Sequence, residues 1–278
     1  MKKNIFSKRA ICAFFLFVYA IAATYAGDVV KILAIGNSFS RDAIEQNLWE
    51  LADADGQEVV IGNMYIPGCP IDLHAENAKS DACTYEFVKI NKEGKKTRID
   101  SVSLDYALRN ENWDIVTVQQ ASYSSGQYES YARLSELIEY VRMRVHYNTK
   151  ILFHETWAYA ANSTHQGFKR YGNDQLTMYK AIAKCAEQAV ADNGLQGVIP
   201  SGDAIQAARA TSLGDNLNID GHHLNEKGKY IAACTWYETI FGRDVRKNTY
   251  RNAALTPKEQ KKAQKAAHKA ARQRICGF

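Results

Sequence analysis

Apolar runs and helical patterns alternate along the chain. Residues 29–35 form an apolar run, interrupted by Lys31, that stops at Gly36-Asn37-Ser38, the pattern of a buried strand. Residues 43–54 place Ile44, Leu48 and Leu51 on one side of a helix. A second strand is predicted over 58–66, ending at Pro67-Gly68-Cys69-Pro70. Residues 85–90 and 97–102, joined by a turn, read as an antiparallel hairpin set into this alternation. Beyond it come a short helix at 104–109, a strand at 113–119, a helix at 129–146 and a strand at 150–153. A long helix at 174–191, a short strand at 197–200 and helices at 203–210 and 226–241 follow. A polar helix runs from 257 to 274, with Thr256 as its cap and Pro257 at its first position.

Strands separated by helices imply right-handed crossovers and a parallel sheet with both faces covered. The expected fold class is α/β: a three-layer α/β/α sandwich around a parallel sheet of about five strands, with a small β-hairpin insertion.

The chain ends modify this picture. Lys2, Lys3, Lys8 and Arg9 precede an apolar run from Ala10 to Ala23, and small residues follow to Ala26. This reads as a secretory signal peptide over residues 1–26, too short for the ~20 residues that span a bilayer. Export to the periplasm or beyond, without a stable membrane anchor, is the expectation. Without that segment Lys+Arg falls from 35 to 31, against 30 Asp+Glu. Residues 251–278 hold eight Lys/Arg and one Glu, and are expected to be a solvated basic tail. The body, 27–250, then carries a net charge of −6, which argues against nucleic acid as a partner. Of the cysteines in this exported chain, Cys69 and Cys83 flank one loop and are the best candidate disulfide. No Cys-x-x-Cys spacing supports a zinc site.

The candidate chemistry lies at both ends of the body. Ser38 sits where the first strand gives way to a helix, at the carboxyl edge where open α/β sheets hold their sites. Asp220 and His223 lie three apart, just before the helix at 226–241. A serine hydrolase needs a nucleophile, a base and a carboxylate that orients the base. Ser38, His223 and Asp220 are those types, although a serine at this junction also serves as an ordinary helix cap.

Gly36-Asn37-Ser38-Phe39-Ser40 and Asp220-Gly221-His222-His223 resemble the first and last blocks of the SGNH (GDSL-type) hydrolase superfamily. Gly68 matches its second block. Within the superfamily the chain is similar to a bacterial subfamily of exported proteins of unassigned function. The resemblance implies a flavodoxin-like fold and ester hydrolysis by Ser38, Asp220 and His223. The Ser38 and Gly68 N–H groups would bind the oxyanion. Two departures stand out. Asn37 replaces the usual Asp, and the third block, normally Gly-x-Asn-Asp, is absent. Gln119 is the expected substitute oxyanion donor, with Gln120 as its rival. Substrate contacts are expected from Gln120, Ser122, His74, His222 and Trp157, with Tyr123 and Tyr159 as further aromatic faces. No cofactor or metal is implied, since His74, His154 and His222 lack metal-ligand spacing. The expected substrate is a small-molecule or polysaccharide ester, with a carbohydrate acetyl ester first. The alternatives are a lipid esterase or thioesterase, and a non-catalytic carbohydrate-binding protein.

Overall fold

The computed structural model describes residues 29–275; the segment 1–26 and Cys276 lie outside the described residues. Seven strands form one sheet: β1 (Val30–Gly36), β2 (Val59–Tyr65), β3 (Tyr85–Ile90), β4 (Lys96–Val102), β5 (Ile115–Val118), β6 (Lys150–Glu155) and β7 (Val198–Pro200). Their order is β4-β3-β2-β1-β5-β6-β7. Strands β2, β1, β5, β6 and β7 are parallel. The predicted hairpin, β3–β4, continues the sheet antiparallel beyond β2. It covers the β2 side of the parallel strands, and the short strand β7 forms their other edge.

The helices are α1 (Ser38–Ile44), α2 (Leu48–Asp53), α3 (Ile71–Ser80), α4 (Leu104–Leu108), α5 (Leu134–Arg142), α6 (Gln175–Asn193), α7 (Ser201–Arg209), α8 (Glu226–Phe241) and α9 (Pro257–Ile275). Alternation along β1 divides the core in two. Val30, Ile32 and Ala34 join one cluster with residues of α1, α2, α7, α8 and α9. Leu33 and Ile35 join the other, with residues of α3, α4 and α5. This is the three-layer sandwich that the pattern predicts.

Four expectations need correction. The helix predicted at 43–54 is two helices, and the first begins at Ser38 itself. Asn47 breaks them with φ of 67°, a left-handed conformation that Asn tolerates better than most residues. Its side-chain oxygen accepts hydrogen bonds from Asn252 and Tyr250. The helix predicted at 129–146 starts only at Leu134, after a 3₁₀ turn at Tyr128–Tyr131.

The third correction concerns Cys69 and Cys83. The segment between them is not a loop but the ten-residue helix α3, about 15 Å long. A disulfide needs Cα atoms within about 7 Å, and both thiols are free. The fourth concerns the basic tail, which is part of the domain. Ala263, Ala266, Ala267, Ala270 and Ala271 are buried, and small side chains let α9 lie close against α7 and α8. His268 Nδ1 and Arg272 Nε both reach the buried Glu238 carboxylate of α8. Lys258, Lys261, Lys265 and Lys269 face outward from α9, so composition hid the alanine stripe.

Candidate active site

The carboxyl ends of the parallel strands converge where the strand order reverses around β1. Such a switch point opens a crevice. Ser38 stands there as the first residue of α1. It follows Asn37, whose extended backbone (φ −143°) and side-chain cap on the Phe39 N–H start the helix. The cap role is therefore Asn37's, and the Ser38 hydroxyl is left for His223. His223 Nε2 lies 2.8 Å from Ser38 Oγ, and His223 Nδ1 lies 2.6 Å from Asp220 Oδ2. Residues 185 positions apart thus meet in one line.

The loop before α8 is built to hold that line. Asp220 Oδ1 accepts the backbone N–H groups of both His222 and His223. Burial pushes the Asp220 carboxyl up, but these hydrogen bonds and that from the His223 ring outweigh it and hold the group at about 2. Gly221 has φ of 85°, and a Cβ there would meet Ser163 at 2.9 Å. Glycine is therefore required between the carboxylate and the histidines. Arg209, buried at the end of α7, braces the same loop. It ion-pairs with Asp215 and donates to Asn218 Oδ1 and the Ala158 carbonyl.

Asp42, one helical turn after Ser38, carries a role that sequence reading missed; a carboxylate among the buried residues of α1 was the available signal. Its Oδ2 accepts the Leu224 N–H at 2.8 Å, which ties the Ser38 helix to the His223 loop. Burial pushes this carboxyl from 3.8 up to about 6, against the opposing pull of the Leu224 N–H and His223. Between those pH values the native state holds a proton that the unfolded chain has released. Wild-type stability therefore falls as pH rises through this window, by about 3 kcal/mol from this group. Asp42→Asn keeps an acceptor for Leu224 and removes the charge. Relative to wild type, the variant is expected to gain up to about 3 kcal/mol between pH 4 and 7 in urea unfolding. Equal pH slopes for the two proteins would refute this.

Other expected site residues lie elsewhere. Gln119 follows β5 and is only 1% exposed. Its Nε2 donates to Asn37 Oδ1 and its Oε1 faces His154 Nδ1 at 2.8 Å. Its amide is committed beneath Ser38 instead of facing the crevice, so the oxyanion role expected for it is withdrawn. Gln120 is buried as well. It accepts the Ile71 N–H and donates to the Ser130 carbonyl, which anchors the start of α3 and not a substrate. Ser122 Oγ is paired with Tyr159 OH in the interior. His74 is fully buried against Tyr85, because the segment carrying it is helical. Trp157 is buried, stacks on Phe39 at 4.2 Å and donates to the His222 carbonyl. It packs under the site and offers no stacking face to a substrate.

Gly68 is exposed in the loop after β2, with φ of 59° and no atom within 4 Å of where a Cβ would stand. Asn37 Nδ2 donates to the carbonyl of the next residue, Cys69, at 3.1 Å. The Gly68 loop is thereby fastened to the residue before Ser38. His222 does face the site, with its ring 4.0 Å from that of His223. His165, which sequence reading did not single out, extends the row at 4.8 Å from His222. Burial, then the charge of His223, holds both below the usual imidazole range. Asp220, His222 and His223 also bring potential metal-ligand atoms within 4.8 Å of one another.

Sheet order and the strand-tip site give the chain the fold of the SGNH hydrolases. More narrowly, the chain belongs to the DUF4886 family, a domain of unknown function, whose model matches residues 31–270. A crystal structure of a DUF4886 family protein from Bacteroides uniformis is 46% identical, with a TM-score of 0.87, covering 87% of this chain and 95% of that one. The acetylxylan esterase Axe2 of Geobacillus stearothermophilus shares the fold at 12% identity and a TM-score of 0.51, covering 78% of this chain and 95% of its own. A protein of Slackia heliotrinireducens, proposed to be an SGNH hydrolase, does so at 22% identity and a TM-score of 0.50, covering 77% and 100%. No curated protein matches the chain.

Proposed function

We propose that the chain is an exported serine esterase that removes a short acyl group, acetyl first, from a carbohydrate hydroxyl. The observation that carries this reading is the line Ser38 Oγ–His223 Nε2 and His223 Nδ1–Asp220 Oδ2, at 2.8 and 2.6 Å. In the proposed reaction Ser38 Oγ attacks the ester carbonyl and gives its proton to His223 Nε2. The oxyanion that forms is held by the Ser38 and Gly68 N–H groups. His223 then protonates the departing alcohol, and the acyl group stays on Ser38. A water molecule, deprotonated by the same imidazole, releases the acid and restores the serine.

The surroundings of the line are polar, which suits a hydroxyl-rich alcohol better than a long acyl chain. His222 and His165 stand on one side. The test is turnover by residues 27–278 of p-nitrophenyl acetate, butyrate and palmitate, and of partially acetylated xylan. Acetyl esters are expected to be the fastest, with acetate released from the polysaccharide. Preference for palmitate would favour the lipid reading. No turnover of any ester would favour the non-catalytic one.

A further inference from the structure

A buried chain of hydrogen bonds crosses the carboxyl edge of the sheet directly under the site. It starts at the Cys69 carbonyl after β2 and passes to Asn37 after β1, at 3.1 Å. It continues to Gln119 after β5, at 2.8 Å, and to His154 in β6, at 2.8 Å. It ends on Ser201, the residue after β7, at 3.0 Å. The order of these links is the order of the strands β2-β1-β5-β6-β7. Asn37, Gln119, His154 and Ser201 are each no more than 1% exposed.

Every proton in the chain is dictated by its backbone anchors. The Phe39 N–H can only donate, so the atom of Asn37 facing it is the oxygen. The Cys69 carbonyl can only accept, so the atom facing it is the Asn37 nitrogen. Gln119 must then point its nitrogen at Asn37 Oδ1 and its oxygen at His154. His154 must carry its proton on Nδ1, which leaves Nε2 to accept from the Ser201 hydroxyl. The imidazole must also be neutral, and burial lowers it to about 3.

We propose that His154, acting through Gln119 and Asn37, is a positioning residue that sets both Ser38 and the Gly68 loop, and so aligns the two oxyanion N–H groups. This rests on Ser38 being the nucleophile. It also explains why the two departures from the SGNH blocks occur together. An Asp at position 37 could not donate to the Cys69 carbonyl, and only a long amide at position 119 spans from Asn37 to His154. The substitute for the missing third block therefore works from behind the oxyanion hole, not inside it.

The test compares His154→Leu, His154→Gln and Gln119→Glu with the wild type. Glutamine at position 154 again offers a donor to Gln119 and an acceptor to Ser201; leucine offers neither. Glutamate at position 119 keeps the shape but presents an acceptor to Asn37 Oδ1. Turnover of p-nitrophenyl acetate is expected to fall roughly 10²-fold in kcat for His154→Leu and Gln119→Glu, with KM within about threefold. His154→Gln should recover at least about tenfold of that loss. A kcat for folded His154→Leu within about threefold of wild type overturns the proposal, as does a folded His154→Gln no faster than His154→Leu. A wild type without turnover and without fluorophosphonate label on Ser38 would sink the esterase reading instead. Nitrogen NMR of the histidines tests the chain independently of activity, with the His154 signals assigned by their loss in His154→Gln. A protonated Nδ1 and bare Nε2 from pH 5 to 8 support the chain, and the opposite tautomer overturns it.

Discussion

Ser38→Ala is expected to lower esterase kcat by at least ~10⁴-fold, because a single nucleophile deletion removes nearly all the advantage of a serine–histidine pair. The fold should survive. Ser38 is a short side chain at the start of α1, whose N-cap hydrogen bond comes from Asn37, so alanine removes one hydroxyl and its bond to His223. The measurement is kcat on p-nitrophenyl acetate together with the melting temperature. Covalent labelling by a fluorophosphonate, mapped to residue 38, is the positive counterpart. A variant that melts like wild type yet turns over within tenfold of it would remove Ser38 from the reaction.

Asp220→Asn is expected to cost about 10⁴-fold in kcat, for a reason specific to this loop. Two backbone N–H groups, those of His222 and His223, point at Oδ1. In the asparagine they select the carbonyl oxygen for that position. The amide nitrogen must then face His223 Nδ1, where a donor meets a donor. The imidazole escapes by moving its proton to Nε2, which leaves no base beside Ser38. His223→Ala should cost at least as much. His222→Ala should stay within about tenfold, since the His222 ring touches Asp220 Oδ1, at 3.0 Å, while His223 holds Oδ2 and Ser38. The opposite ranking of the two histidine variants would mean that the loop register is read incorrectly. Because Asp220 is held at about 2, no loss of activity above pH 4 should arise from its protonation.

Much of the site is visible in one dimension because its key residues sit at junctions with local signatures. Ser38 marks the end of an apolar run, and Asp220 with His223 marks a loop before a capped helix. The three-residue spacing is itself the structure, since one carboxylate can hold the backbone and the ring of a residue three positions on. Gln119 shows where this stops. Its place at the carboxyl edge of the sheet was expected, but the direction of its side chain depends on Asn37 and His154, which lie 82 and 35 positions away. Period-two alternation separates Gln119 from Gln120 without saying which neighbours wait on either side. His74 and Trp157 fail in the same way: each follows a strand that ends at the carboxyl edge, and packing closes it off from the site.

The sequence by itself determined the layers, the parallel strands with their hairpin, and the three residues of the proposed reaction. The layers and strands follow from local periodicity, and the three residues from a strand–helix junction, a three-residue spacing and the resemblance to the SGNH blocks. Only the tertiary structure decided that α9 closes the domain, that Cys69 and Cys83 stand at opposite ends of a helix, and that Gln119 belongs to a buried chain. It also decided that Asp42 and Arg209 hold the loop of His223. Those are properties of pairs far apart in sequence. A buried amide or carboxylate takes whichever partner the fold brings within about 3 Å, and leaving it unpaired costs about 1–3 kcal/mol. Composition and periodicity carry no record of that choice.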